Sequence, residues 1–224
     1  MSINVNIGPD IKLLSTGVSL GVITYKVNEL NQSQDAFKEK FMSLKKQLSE
    51  YYLTKKIAEQ KEIKAWRVLL KQMGVDYSRY RPSAEALIKR TISDKPLFWV
   101  NVAVDINNYL SVEHAIPMGI YDLDKIKGNI VYDLGSEDAR YEALNGREVS
   151  FKGKPNLSDE IGSFGSPLVD SQRTKVTNDS KNLLHILYFY PGISESEIEL
   201  IVQKSIELFT NELEVNILDK KLVK

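Results

Sequence analysis

Residues 183–190 read LLHILYFY. Every position except His185 is apolar or aromatic. A strand with one wet face alternates; this run does not, so it is expected to be apolar on both faces and central in a sheet. Pro191 and Gly192 stop it. His185 in the middle of such a strand is expected to be a hydrogen-bonded core histidine, because an unpaired polar group there costs about 1–3 kcal/mol. Beyond the stop, Ser194 to Glu197 (SESE) has the form of a capping box. Ser194 accepts from the amide of Glu197, and a helix follows through Ile198, Ile201, Val202, Leu208 and Phe209. The last residues, 218–224, read as a frayed tail.

Directly before the apolar run lies DSQRTKVTNDSKN, residues 170–182, in which Val176 is the one apolar residue. If the piece is extended, Arg173 and Lys175 point the same way, on either side of Thr174. Two readings stand: a solvated surface turn, or the rim of an anion site beside the central strand.

Working toward the N-terminus, residues 17–27 alternate as a strand, with Val18, Leu20 and Val22 on one face. Phe37, Phe41, Leu44, Leu48 and Tyr51 are spaced 4, 3, 4, 3 and form the stripe of a long helix. A second helical pattern runs through Ile63, Trp66, Leu69, Leu70 and Met73 to Gly74. Together they predict a helical hairpin over about 33–73, with the stripe packed near Trp66 and Leu70. Residues 81–93 predict a third helix, with Pro82 in its first turn. The stretch from Leu97 turns helical around Asp105 to Val112. Short strands then follow in IPMGIYD, NIVYDL, ARYEAL and REVSF, separated by Gly, Asn and Ser. The pattern is one α+β domain over residues 1–224, with a mixed, largely antiparallel sheet and flanking helices.

The 224 residues carry no cysteine, which excludes disulfides, thiol catalysis and zinc–thiolate sites and is compatible with a reducing cytoplasm. No run of 18 apolar residues is present, so no membrane partner is expected, and the N-terminus lacks the pattern of a signal peptide. The net charge of zero hides an asymmetry. Residues 38–71 hold ten Lys/Arg against four Glu, whereas residues 100–170 hold six against twelve Asp/Glu. The basic helical part is either an ordinary helix surface or one that meets phosphates.

Dinucleotide, P-loop, HExxH and GxSxG motifs are all absent, and no cofactor or metal is called for. His114, after a helix and before a Pro-containing turn, is a candidate general base, or simply a helix C-terminal histidine favoured by the dipole. In RYRPS, Arg79 and Arg81 flank Tyr80 and can hold phosphate or carboxylate, unless acids of the same chain claim them. Asp105 and Asn108 share a helix face, and Asp122 with Asp124 forms either a strand face or a turn.

IKAWRVLLKQMGVDYSRYRPSAEALIKR (63–90), VDINNYLSVEHAIPMGIYDLDKI (104–126) and DSQRTKVT (170–177) together resemble the B3/B4 domain of the phenylalanyl-tRNA synthetase beta chain, in its stand-alone single-domain form. The resemblance implies a mixed-sheet α+β fold described as tRNA-binding. It also implies a region that, in the full synthetase, hydrolyses tyrosine wrongly attached to tRNA. The synthetase's editing-pocket residues have no match at identifiable positions here. The expectation is a tRNA-associated domain that does not aminoacylate by itself; if it is an enzyme, it is an aminoacyl-tRNA ester hydrolase. Arg79, Arg81, Asn108, Asp122, Arg173, Thr174 and Lys175 are the expected ligand or RNA contacts, and Asp105 and His114 the catalytic candidates. The alternative is a small-molecule or peptide binder that kept the fold without RNA. The sequence leaves the oligomeric state open.

Overall fold

The computed structural model describes residues 3–31, 34–93 and 95–224. All of LLHILYFY but Tyr190 lies in β9 (Asn182–Phe189), the second strand from one edge of a four-stranded antiparallel sheet ordered β10-β2-β9-β3, where β10 is Val215–Val223. Its neighbours are β2 (Ser19–Val27) and β3 (Met118–Asp122). Ile23 and Ile120 flank His185 from the two sides. Leu183 through Phe189 are all buried, as a two-faced apolar strand requires. A second sheet, ordered β1-β4-β7-β8, consists of β1 (Val5–Ile7), β4 (Ile130–Leu134), β7 (Pro155–Ser158) and β8 (Ser163–Gly165). Its β1–β4 pair is parallel and the rest antiparallel. A ribbon of β5 (Arg140–Glu142) and β6 (Glu148–Ser150) completes the strands. The fold is α+β with largely antiparallel sheets.

Six α-helices accompany the sheets among the described residues. α1 (Pro9–Leu14) is short; α2 (Asp35–Tyr51) and α3 (Lys61–Gln72) are joined through a 3-10 turn at Ile57–Glu59. α4 (Ser83–Thr91), α5 (Val102–His114) and α6 (Glu195–Glu212) follow. Position 33, where the hairpin was expected to start, lies outside the described residues. The α2 stripe is buried at Phe37, Phe41 and Leu44. The rings it meets, however, are Tyr109 of α5 (5.7 and 5.5 Å) and Trp99 (5.7 Å), not Trp66 of α3. The spacing marks the buried face over the first turns only, since Leu48 is half-buried and Tyr51 exposed, and it carries no information on the partner. No helix among the described residues is long and apolar enough to cross a membrane.

Two expectations fail for physical reasons. Residues 218–224 do not fray: Val215–Val223 form β10, which pairs antiparallel with β2 across a bulge at Leu218. The backbone ladder holds this edge strand, and Lys220 and Lys224 reach Glu199 and Glu195 of α6. His185 is a core histidine without a hydrogen bond: neither ring nitrogen has a partner among the described residues. Its ring lies 5.2 Å from Phe209, which stacks on Tyr25 at 4.6 Å. Burial pushes its pKa down to about 3, so it is neutral at ordinary pH.

The cap of α6 forms as its sequence dictates: Ser194 accepts from the Glu197 amide at 3.2 Å, while the Glu197 side chain turns to Lys61. Ser194→Ala is expected to cost about 1 kcal/mol, which thermal unfolding reads as a Tm lower by roughly 2–4 °C.

Candidate functional site

The 170–182 segment wraps the end of β3 and brings four expected residues to one place. Asp122 donates its amide to the Thr174 carbonyl at 2.9 Å, and Tyr121 bridges Lys175. Thr174 is fully buried and bonds Ser171 Oγ (3.1 Å) and the Phe164 carbonyl (3.4 Å). The Asp122 carboxylate accepts from the Asp124 amide, from Ser180 Oγ at 2.7 Å and from Lys125 Nζ at 3.1 Å. Asp122 therefore ends a strand, and Asp124 belongs to the 3-10 turn at Leu123–Lys125.

Arg173 is committed inside the chain. Its guanidinium makes a two-pronged pair with Asp159 (3.0 and 2.9 Å) and donates to the carbonyls of Lys125 and Gly162, each at 3.1 Å. The Asp159 side chain has no solvent exposure and also accepts from the amides of Lys127, Ile161 and Gly162. Burial alone would raise its pKa; the Arg173 fork and these amides outweigh it and hold the carboxyl below its ordinary value. Lys175, by contrast, is exposed.

The remaining candidates stand elsewhere. Arg79 stacks on Tyr80 (5.3 Å), and Arg81 lies 3.8 Å from Glu85, which Arg67 holds more tightly at 2.6 Å. Ser83 donates its amide to the Pro167 carbonyl, which ties this turn to the segment leading into Asp170. Asp105 and His114 sit nine positions apart on α5, about 13 Å along a helix axis. Asp105 is buried and accepts from the Val100 amide at 3.2 Å. The Gln34 amide, with its nitrogen toward the carboxylate, donates to the other oxygen at 2.9 Å. Burial raises the Asp105 carboxyl to about 6. Burial lowers the His114 pKa; the carboxylate of Glu113, 3.6 Å away, pulls the other way. Asn108 is half-buried beside Asn107. Asp105, Asn108 and His114 share no hydrogen bond or ion pair with Arg173 among the described residues.

The sequence reading missed a buried polar cluster behind this segment. Tyr121 donates to Asp170 Oδ1 at 2.6 Å and meets the Tyr188 hydroxyl at 3.0 Å. Burial raises the Asp170 carboxyl to about 7, against the Tyr121 hydrogen bond. Gly119 and Gly165 make room for the phenol: a Cβ on either would lie 2.1 or 2.4 Å from the Tyr121 hydroxyl. Two glycines inside strands were the available signal, since an interior strand glycine often marks close approach.

Two clefts flank α3. One, of about 610 Å³, is lined by Lys61, Lys64, Val68 and Pro191; the other, of about 380 Å³, by Arg67, Lys71 and Tyr77. Lys64 and Val68 border both. Of the cations between residues 38 and 71, Lys45, Lys46, Lys55, Lys64 and Lys71 make no ion pair among the described residues. No group of three or more His, Asp or Glu is placed to hold a metal ion among the described residues.

Largely antiparallel sheets, six α-helices among the described residues and a motif loop paired with the end of β3 define an α+β domain in which the motif cation Arg173 serves a structural fork while Lys64 and Lys71 lie open on α3. The family model for the B3/4 domain matches residues 65–211, and the chain belongs to that family. An uncharacterized protein, YhzB of Bacillus subtilis, is 21% identical over 92% of this chain and 93% of its own length. The phenylalanine–tRNA ligase beta subunit of Bartonella henselae is 44% identical over 38% of this chain, and that of Bordetella pertussis 31% over 42%. These matches span only 11% and 12% of the ligase subunits. A solved N-terminal fragment of the phenylalanyl-tRNA synthetase beta-subunit from Pyrococcus horikoshii aligns with all of this chain and 51% of its own, at 15% identity and a TM-score of 0.48.

Proposed function

We propose that this chain associates with tRNA through its B3/4 fold and does not charge it. The observation that carries this reading is the family match, which takes in all but the first two residues of the three motif segments. The open ridge of α3, with Lys64 and Lys71 about two turns apart, supplies cations that make no ion pair among the described residues. Lys175 adds an exposed cation at the motif loop. Asp105 has its oxygens occupied and His114 stands at the far end of the same helix, so this pair does not support ester hydrolysis as the primary activity.

An electrophoretic shift of tRNA is expected at low salt and is expected to weaken steeply between about 50 and 200 mM. Lys64→Ala with Lys71→Ala is expected to flatten the salt slope by roughly two. If tRNA does not shift at low salt, the reading is wrong. Incubation with tyrosyl-tRNA in the same buffers reads any accompanying ester hydrolysis.

A further inference from the structure

Residues 95–100 (KPLFWV) form an extended loop before α5 and expose apolar surface where a core-seeking sequence would be expected to hide it. Phe98 is 71% exposed and Val100 57%. Large aromatic side chains dominate burial energetics, so a ring left this open is an informative exception. The loop is also built rather than loose. The Arg90 guanidinium covers the Phe98 ring at 3.8 Å and donates to the Pro96 carbonyl at 2.9 Å. Beside it, Trp99 is half-buried and is held edge-on by Phe41 at 5.7 Å. Lys38 lies 5.9 Å from the Trp99 ring, and Lys45, two helical turns along α2, donates to the Ser93 carbonyl at 3.0 Å. Between them on α2, Met42 is half-exposed.

We propose that this loop, with the Lys38–Lys45 face of α2 and Arg90 of α4, is a stacking platform for unpaired nucleotides of an RNA. The proposal rests on the tRNA-associated reading above. Single-stranded nucleic acid is held by aromatic rings that stack bases and by cations that follow the phosphates, and both are present here within one surface. The charge is complementary: Lys38 and Arg90 lie against the rings, Lys45 holds the Ser93 carbonyl and Lys95 is an exposed cation of the same loop, against Asp35 and the buried Asp105 near Lys38. Arg90 already covers one face of Phe98, which leaves one open face for one base. To enter a lipid interior, the Phe98 ring would have to carry the stacked Arg90 guanidinium with it or give up that contact, and desolvating that charge is costly.

Tryptophan fluorescence reads this surface selectively. The chain has two tryptophans, and Trp66 is fully buried, so a ligand stacking on the platform quenches Trp99. The intact protein is titrated with an unstructured RNA of about twelve nucleotides, with a hairpin duplex, and with phosphatidylglycerol vesicles. The single strand is expected to quench and the duplex to quench less. Phe98→Ala is expected to weaken single-strand binding roughly tenfold or more at an unchanged Tm, because Phe98 is mostly exposed. Lys38→Ala is expected to lower the salt slope by about 0.7. No quenching by the single strand, or equal affinity in Phe98→Ala, overturns the platform; a blue shift with vesicles alone assigns the loop to lipid instead. A tRNA shift that is identical in wild type and Phe98→Ala removes the platform and leaves tRNA association standing. Quenching by the short RNA without any tRNA shift does the reverse.

Discussion

Arg173→Ala is expected to destabilise the fold by about 3–5 kcal/mol, because it strands the Asp159 carboxylate, which has no solvent exposure, without its counter-ion. For a chain of this size that is a Tm lower by on the order of 10 °C. Lys175→Ala, on the exposed neighbour, is the control and is expected to stay within roughly 0.5 kcal/mol of wild type. Arg173→Lys restores the charge but not the fork, and is expected to recover only part of the loss. Because the folded state holds Asp159 below its ordinary pKa, the stabilisation is present above the unfolded value of about 4 and is lost as pH falls through the folded one. The gap between wild type and Arg173→Ala should therefore narrow in acid. An Arg173→Ala protein that melts with wild type would remove the fork from its structural role.

The second large effect is a cancellation that single substitutions expose. An unfolded histidine binds a proton below about pH 6.5, whereas folded His185 does so only near 3. That site loses stability as pH falls from about 6.5 toward 3. Asp170 works in the opposite sense: folded, it holds its proton up to about 7, and unfolded it releases it near 4. That site loses stability as pH rises from about 4 to 7. Each contributes a slope of about 1.4 kcal/mol per pH unit within the shared window, with opposite sign. Denaturant unfolding measured from about pH 4.5 to 6.5 should show His185→Leu gaining on wild type by roughly 3 kcal/mol toward the acid end. Asp170→Asn should show the reverse trend. The contributions of Asp105 and His114 are common to all three proteins and drop out of the differences. Parallel profiles for wild type and either variant would contradict the assigned protonation states.

The central strand was legible because LLHILYFY is apolar on both faces, and that property survives any topology. The Ser194 cap was legible because capping chemistry is local; the start of α5 was not, since the helix expected around Asp105 to Val112 runs from Val102 to His114 behind an Asn101 cap. β10 was not, because ILDKKLV (217–223) mixes charge with aliphatics as an edge strand with one open side does; its partner, β2, is remote in sequence. Asp122, Arg173, Thr174 and Lys175 were each singled out, but that the 170–177 segment pairs with the end of β3 was not legible from order along the chain. What the sequence could not show is that Arg173 had already been claimed by Asp159, fourteen residues earlier, in a segment without motif character. Nor does it reveal that Tyr121, Tyr188 and Asp170 meet. Their contact depends on two glycines, on different strands, yielding space to one phenol.

The placement of β2 between β9 and β10 sets a timetable for synthesis. Residues 19–27 leave the ribosome early, yet both of their pairing partners, 182–189 and 215–223, follow far later. At ordinary translation speeds the wait for β9 alone is on the order of ten to thirty seconds. Throughout that interval β2, apolar along most of its length, has two open edges and no sheet to join. The nascent chain is thus a natural client for chaperones. Ribosome-bound chains stalled before residue 182 should be retained by a holdase, and chains long enough to present 215–223 should be released.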